Sequence, residues 1–162
     1  MNLNDLKSTP VFKGIEETYL KKLANLGQEA VYARGHIIFR EGEEAKALYI
    51  LRDGQVSLDM SIDTGQGQGV HQATVDIAKK GTAFGWSALI EPHKYTLTAT
   101  SLEPVSLFVF EAEKLRYLLD SDVNLGYQVM KKVAKLIALR LEHTRNLLLS
   151  ERGLSNVPSW RY

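Results

Sequence analysis

Four histidines, His36, His71, His93 and His143, are the side chains best suited to hold a metal or move a proton near neutrality. No two of them sit at i, i+4 or as H-x-H, the spacings that put two imidazoles on one helix face or one strand face. Surface or structural roles are therefore expected. His36, His71 and His93 would reach one metal only if a jelly roll brought them together, and nothing marks an axial ligand for haem. The chain has no cysteine, which excludes disulfides, zinc–thiolate sites and thiol nucleophiles and fits a reducing cytoplasm. No serine stands in a nucleophile elbow. Glu41, Glu43 and Glu44 crowd one turn, where solvation is the expected state. The reading is a non-enzymatic protein with no catalytic residue, no metal and no cofactor. His93 is the histidine of interest, as one that could contact a ligand or titrate near neutrality.

The elements that would position these groups follow from pattern. The 162 residues suffice for one domain with a core, and a formal charge of +1 gives no field to recruit nucleic acid or anionic membrane. The N-terminus lacks the continuous apolar stretch of a signal peptide, and no segment reaches the apolar length of a membrane span. Residues 3–7 and 16–26 read as short helices, the second from Leu20, Leu23 and Leu26. Pro10 separates them, and Val11-Phe12 reads as an apolar latch. Strands are expected at 29–33, 37–39, 47–51, 55–62, 74–77, 95–101 and 104–110. They are separated by Arg34-Gly35, Glu41-Gly42, Asp53-Gly54, Gly65 to Gly69 and Lys80-Gly81. Asp53-Gly54 is the strongest hairpin signal. Many short strands with regular turns imply a sandwich, barrel or jelly roll. The glycines of Thr64–Gly69 do not join a strand to a helix, so a phosphate loop is rejected and a flexible, dispensable loop tip expected.

From Glu113 the chain turns helical, with a short helix to Leu119 and a long one over Val123–Glu151. Val129, Val133 and Leu136 form a stripe expected to pack on the body. Met130, Ala134, Ile137, Leu141, Thr144 and Leu148 alternate steps of four and three, a seam expected to pair two copies of the chain as a homodimer. Lys131, Lys132, Lys135, Arg140, Arg145 and Arg152 outnumber Glu142 and Glu151, and a solvated basic face is the default reading. Residues 153–162 are expected to be a loose tail, and the ten residues after Arg152 are too few for a DNA-binding helix pair. The domain is thus 1–152: helices over 3–28, strands over 29–110, helices over 113–152.

Residues 35–56, GHIIFREGEEAKALYILRDGQV, resemble the signature of cyclic nucleotide-binding domains, with Gly35, Phe39, Glu41, Gly42, Leu48, Tyr49, Ile50, Gly54 and Val56 in place. The resemblance covers about residues 3–150. It implies a mainly β fold, a jelly-roll-like β-roll (double-stranded β-helix) with short N-terminal helices and a long C-terminal helix. It also implies a phosphate-binding cassette at Phe84–Ser101, FGWSALIEPHKYTLTATS. The family's cassette reads roughly F-G-E-L-A, a loop, then R-[ST]-A-T; its Glu takes the ribose hydroxyl and its Arg the cyclic phosphate. Phe84, Gly85, Ala88, Leu89 and Thr96 match, but Trp86 stands for the Glu and Tyr95 for the Arg.

Losing a guanidinium fork costs a few kcal/mol, roughly two orders of magnitude in affinity. Lys94 is adjacent but must face away if Tyr95 faces inward. The N–H groups of Ser87, Ala88 and Leu89, opening a helical turn, are left as the anion-binding feature. The expected function is a ligand-sensing regulatory module that does not bind cAMP tightly. A receptor for cAMP or cGMP with an unusual cassette, and an interaction domain whose pocket Trp86 and Tyr95 close, are the alternatives.

Overall fold

Ala47-Leu48-Tyr49-Ile50-Leu51 is an unbroken apolar run with every residue buried. A strand alternates its side chains between two faces, so such a run needs apolar cover on both. In the computed structural model, which describes residues 3–63 and 70–151, this run is the start of β3 (Ala47–Asp53) in a three-layer arrangement. The other strands are β1 (Gln28–Tyr32), β2 (Ile37–Phe39), β4 (Val56–Asp63), β5 (Val70–Ala78), β6 (Ala83–Phe84), β7 (Thr98–Ser101) and β8 (Val105–Glu111). They form two antiparallel four-stranded sheets, ordered β1-β8-β3-β6 and β2-β7-β4-β5. Helices α1 (Leu3–Ser8) and α2 (Glu17–Leu26) precede the sheets; α3 (Ala112–Ser121) and α4 (Val123–Glu151) follow. This is the β-roll with a long C-terminal helix that the sequence led us to expect.

Two cores result. Tyr49 and Leu51 of β3 and Leu107 of β8 join Phe39, Val56, Leu58, Phe84 and Tyr95 between the sheets. The alternate residues, Leu48, Ile50, Phe108 and Phe110, face the helices, where they meet Phe12, Leu20, Leu23, Leu115, Val129 and Val133. Phe12 sets its ring edge-on to Phe110 at 5.5 Å, so the expected latch exists. The Val129, Val133, Leu136 stripe packs on this layer, as expected.

Four expectations need correction. Asp53-Gly54 does not make a hairpin: β3 and β4 lie in different sheets, and the pair turns a corner between layers. A turn signal fixes where the chain reverses, but burial on both faces keeps β3 beside β8. The true hairpin is β4–β5, paired from Val56 with Ala78 to Asp63 with Val70, with a one-residue register shift between Leu58 and Asp59. The loop joining these strands, Thr64–Gly69, lies outside the described residues, as do Arg152 and the 153–162 tail. The strand expected at 95–101 begins only at Thr98. Tyr95 instead exchanges backbone hydrogen bonds with the turn at 42–43, accepting from Gly42 and donating to Glu43. The two-residue β6 was not expected, being too short to show any periodicity. Finally, Ile137 does not share the open side of its stripe. It packs half-buried against the helical layer, while Met130, Leu141 and Leu148 stay exposed. A seam of 3.5 residues per step drifts around a straight helix, and Ile137 falls one turn after buried Val133.

Candidate functional site

The candidate pocket opens at the end of β6. Gly85 has φ +73°, and a Cβ there would lie 3.1 Å from the Ala47 carbonyl oxygen and 3.2 Å from the Tyr49 and Tyr95 rings. Only glycine meets both conditions. The chain then makes a single 3-10 turn, Trp86–Leu89. Of the three N–H groups expected to serve an anion, Ala88's is spent inside the turn, donating to the Gly85 carbonyl at 3.1 Å. The turn is clamped from α3, where Arg116 Nη1 donates to the Ala88 carbonyl at 2.6 Å. In the following loop His93 has φ +56°, and its Nδ1 lies 3.4 Å from the Ser87 carbonyl oxygen.

Tyr95 occupies the middle of the site. It is buried, and its ring stacks on Phe39 with centroids 3.7 Å apart. Its hydroxyl accepts from the Ala47 N–H at 3.0 Å and donates to the Ala47 carbonyl at 2.9 Å. Burial raises its pKa, as it raises that of Tyr49 beside it, so both phenols stay neutral. A neutral ring thus fills the position at which the cassette pattern places a cation. Lys94 is exposed, as alternation required, and Thr96 is exposed at the rim.

The second feature was not anticipated. Arg140 of α4 reaches back over the roll. Its Cζ sits 4.5 Å from the Trp86 ring centroid, and its Nη2 lies 2.8 Å from Asp76 Oδ2 on β5. The two charged side chains are only 15% and 23% exposed. Burial pulls the Arg140 pKa down while Asp76 holds it up, and it remains a cation. The sequence held a signal for it. Val129, Val133, Leu136 and Arg140 continue one buried stripe at helical spacing, and a cation on such a stripe needs a partner.

Phe39, Trp86, Ser87, Tyr95, Thr96 and Arg140 help line a partly open cleft of about 20 Å³, room for roughly one water. The turn acids serve structure: Glu41 accepts from the Ser61 N–H at 2.9 Å and Glu43 from the Arg40 N–H at 2.9 Å. His36 stacks on Tyr32 at 4.4 Å, while His71 and His143 are exposed on β5 and α4. Among the described residues no three metal-binding side chains cluster, and no helix is long and apolar enough to cross a membrane.

Comparison with known proteins agrees with this architecture. The family model of the cyclic nucleotide-binding domain matches residues 29–122. The CRP-like cAMP-activated global transcriptional regulator of Mycobacterium tuberculosis is 25% identical over 138 residues, covering 85% of this chain and 58% of that protein. This chain therefore spans under two thirds of the regulator's length. A candidate cyclic nucleotide-binding protein from Geobacter metallireducens GS-15 superposes with a TM-score of 0.77 at 28% identity, over 87% of this chain and 98% of that one. A cyclic nucleotide-binding domain from Methylobacillus flagellatus KT superposes at 0.79 with 18% identity, covering 92% and 83%, and shows the fold.

Proposed function

This chain belongs to the cyclic nucleotide-binding domain family, and from that premise we propose that it is a non-catalytic regulatory module that does not bind cAMP or cGMP tightly. One observation carries the reading: Tyr95, neutral and hydrogen-bonded to both backbone groups of Ala47, fills the site and leaves about 20 Å³. Pockets for nucleotide-sized ligands run to several hundred Å³. A cyclic phosphate entering here would have to expel a stacked, doubly bonded ring and would meet no guanidinium from the cassette. Arg140 ties the long helix to the pocket wall, so the packing of α4 on the roll is the natural output. Regulation would then be a population shift between two placements of that helix. The exposed apolar side of α4, with Met130, Ala134, Leu141 and Leu148, suits a second copy of the chain.

Thermal unfolding tests the reading. A ligand with a Kd of about 10 μM present at about 1 mM would stabilise by about 2.7 kcal/mol, a shift of several degrees. No shift with either nucleotide is expected, and a shift of that size would overturn the proposal.

A further inference from the structure

The two halves of α4 meet the roll differently. Val129 and Val133 are buried, and Leu136 and Ile137 pack half-buried against the helical layer. Past Ile137 the apolar side chains Leu139, Leu141 and Leu148 are exposed. Arg140 stands in this outer half yet points inward, and it joins three elements. Its Cζ sits 4.5 Å from the Trp86 ring centroid, in the turn that follows β6, and its Nη2 reaches Asp76 of β5 at 2.8 Å. β5 and β6 belong to different sheets. Cohesion alone does not call for a cation here. A leucine one turn after Leu136 would extend the buried stripe, and a buried ion pair stabilises no more than well-packed apolar side chains of similar volume. The pair adds geometry instead. A planar fork meets a ring face and a carboxylate together over only a narrow range of helix positions.

We infer that Arg140, Asp76 and Trp86 form a clasp that holds the outer half of α4 in one placement on the roll with no ligand bound. The inference rests on the functional reading above and deepens it, by naming the contact that sets one of the two helix placements. Every group in the clasp belongs to the chain itself. Among the described residues that line the cleft beside it there is no second acid, so Asp76 is the partner that balances Arg140. The clasp is also able to open. On release Asp76 Oδ1 keeps the Ile77 N–H at 2.7 Å and its side chain is already partly open to water, while Arg140 leaves with the helix toward the surface. Neither charge would be left buried and unpaired, the outcome that makes breaking an ion pair costly. Both placements are therefore chemically complete, as a two-state element requires. The exposed Leu141 and Leu148 ride on the half that the clasp positions, so the clasp decides how that apolar side is presented.

The chain has no cysteine, so spin labels attach only where cysteines are introduced. Glu142→Cys on the outer half of α4 and Glu103→Cys between β7 and β8 replace exposed residues outside the site. Glu142 lies about 14 Å beyond Val133 along the helix, far enough to report a swing. Asn124→Cys paired with Glu103→Cys reads the start of α4 as the control. Double electron–electron resonance, with labelled chain diluted into excess unlabelled chain, gives the distance distribution within one molecule. The parent should show a single narrow 103–142 distance. Asp76→Asn and Arg140→Gln should each broaden it by several ångströms or add a second distance, with the 103–124 distance unchanged. Arg140→Lys, which keeps the charge without the planar fork, should fall between. Asp76→Asn, a replacement of equal size, guards against a folding defect in Arg140→Gln. A 103–142 distribution as narrow in both Asp76→Asn and Arg140→Gln as in the parent, or one already broad in the parent, would overturn the inference. Equal broadening of the 103–124 pair in Asp76→Asn would overturn it as well, by showing a general loss of packing. Tight cAMP binding by a parent that keeps its narrow, Arg140-dependent distance would sink the functional reading alone.

Discussion

In the proposed reading a single side chain, Tyr95, closes the pocket. Its hydroxyl satisfies both backbone groups of Ala47, so Tyr95→Phe strands a buried donor and acceptor. A cost of about 1–3 kcal/mol is expected, measured by urea unfolding; a change under about 0.5 kcal/mol, the level of an ordinary surface substitution, would show the bonds to be incidental. The same residue predicts an alkaline response. Burial raises the pKa of Tyr95 and Tyr49, so the folded chain holds protons that the unfolded chain releases. Stability is full below the free phenol value of about 10 and falls as pH rises from there toward the folded pKa. Above pH of about 10, Tyr95→Phe should lose stability less steeply than the parent, by up to about 1.4 kcal/mol per pH unit. Equal slopes would contradict a buried neutral phenol. At this scale the sequence showed that the cassette lacked its acid and its cation. It did not show that Tyr95 stacks on Phe39, because a pairing between residues so far apart leaves no local pattern. Arg140 was legible through its stripe, but only once that stripe was known to face the roll.

The elements were legible wherever one periodicity dominated. α4 spans the expected 123–151, and β2 the expected 37–39. Register and sheet membership were not, since they depend on which face each layer buries. The corner at Gly54 makes this testable. Gly54 has φ +88°, and a Cβ there would come within 2.6 Å of the Pro104 carbonyl oxygen; Gly42 has φ +82° with nothing within 4 Å. Gly42→Ala should cost about 1–2 kcal/mol of backbone strain alone. Gly54→Ala should cost visibly more, because two chain segments must also separate. Equal losses in denaturant unfolding would mean that the corner is not packed as described.

At the scale of the whole molecule, the outer side of α4 carries exposed apolar side chains. Leu141 is 69% exposed and Leu148 54%, a large apolar patch for a chain alone in water. Pairing with a second copy would bury the patch symmetrically. Ile137 is half-buried against the helical layer, so the informative variant is Leu141→Asp/Leu148→Asp. A dimeric parent and a folded monomeric variant are expected in sedimentation; a parent that sediments as a monomer at about 50 μM, a Kd weaker than about −6 kcal/mol, would leave this face to a different partner. Titration calorimetry of the full chain with cAMP and cGMP measures most directly whether the pocket is closed to the ligands of its family. No saturable heat is predicted at nucleotide concentrations up to about 1 mM, whereas a Kd at or below about 10 μM, near −7 kcal/mol, would contradict it, since Tyr95 and Arg140 would then have to leave the positions that define the site.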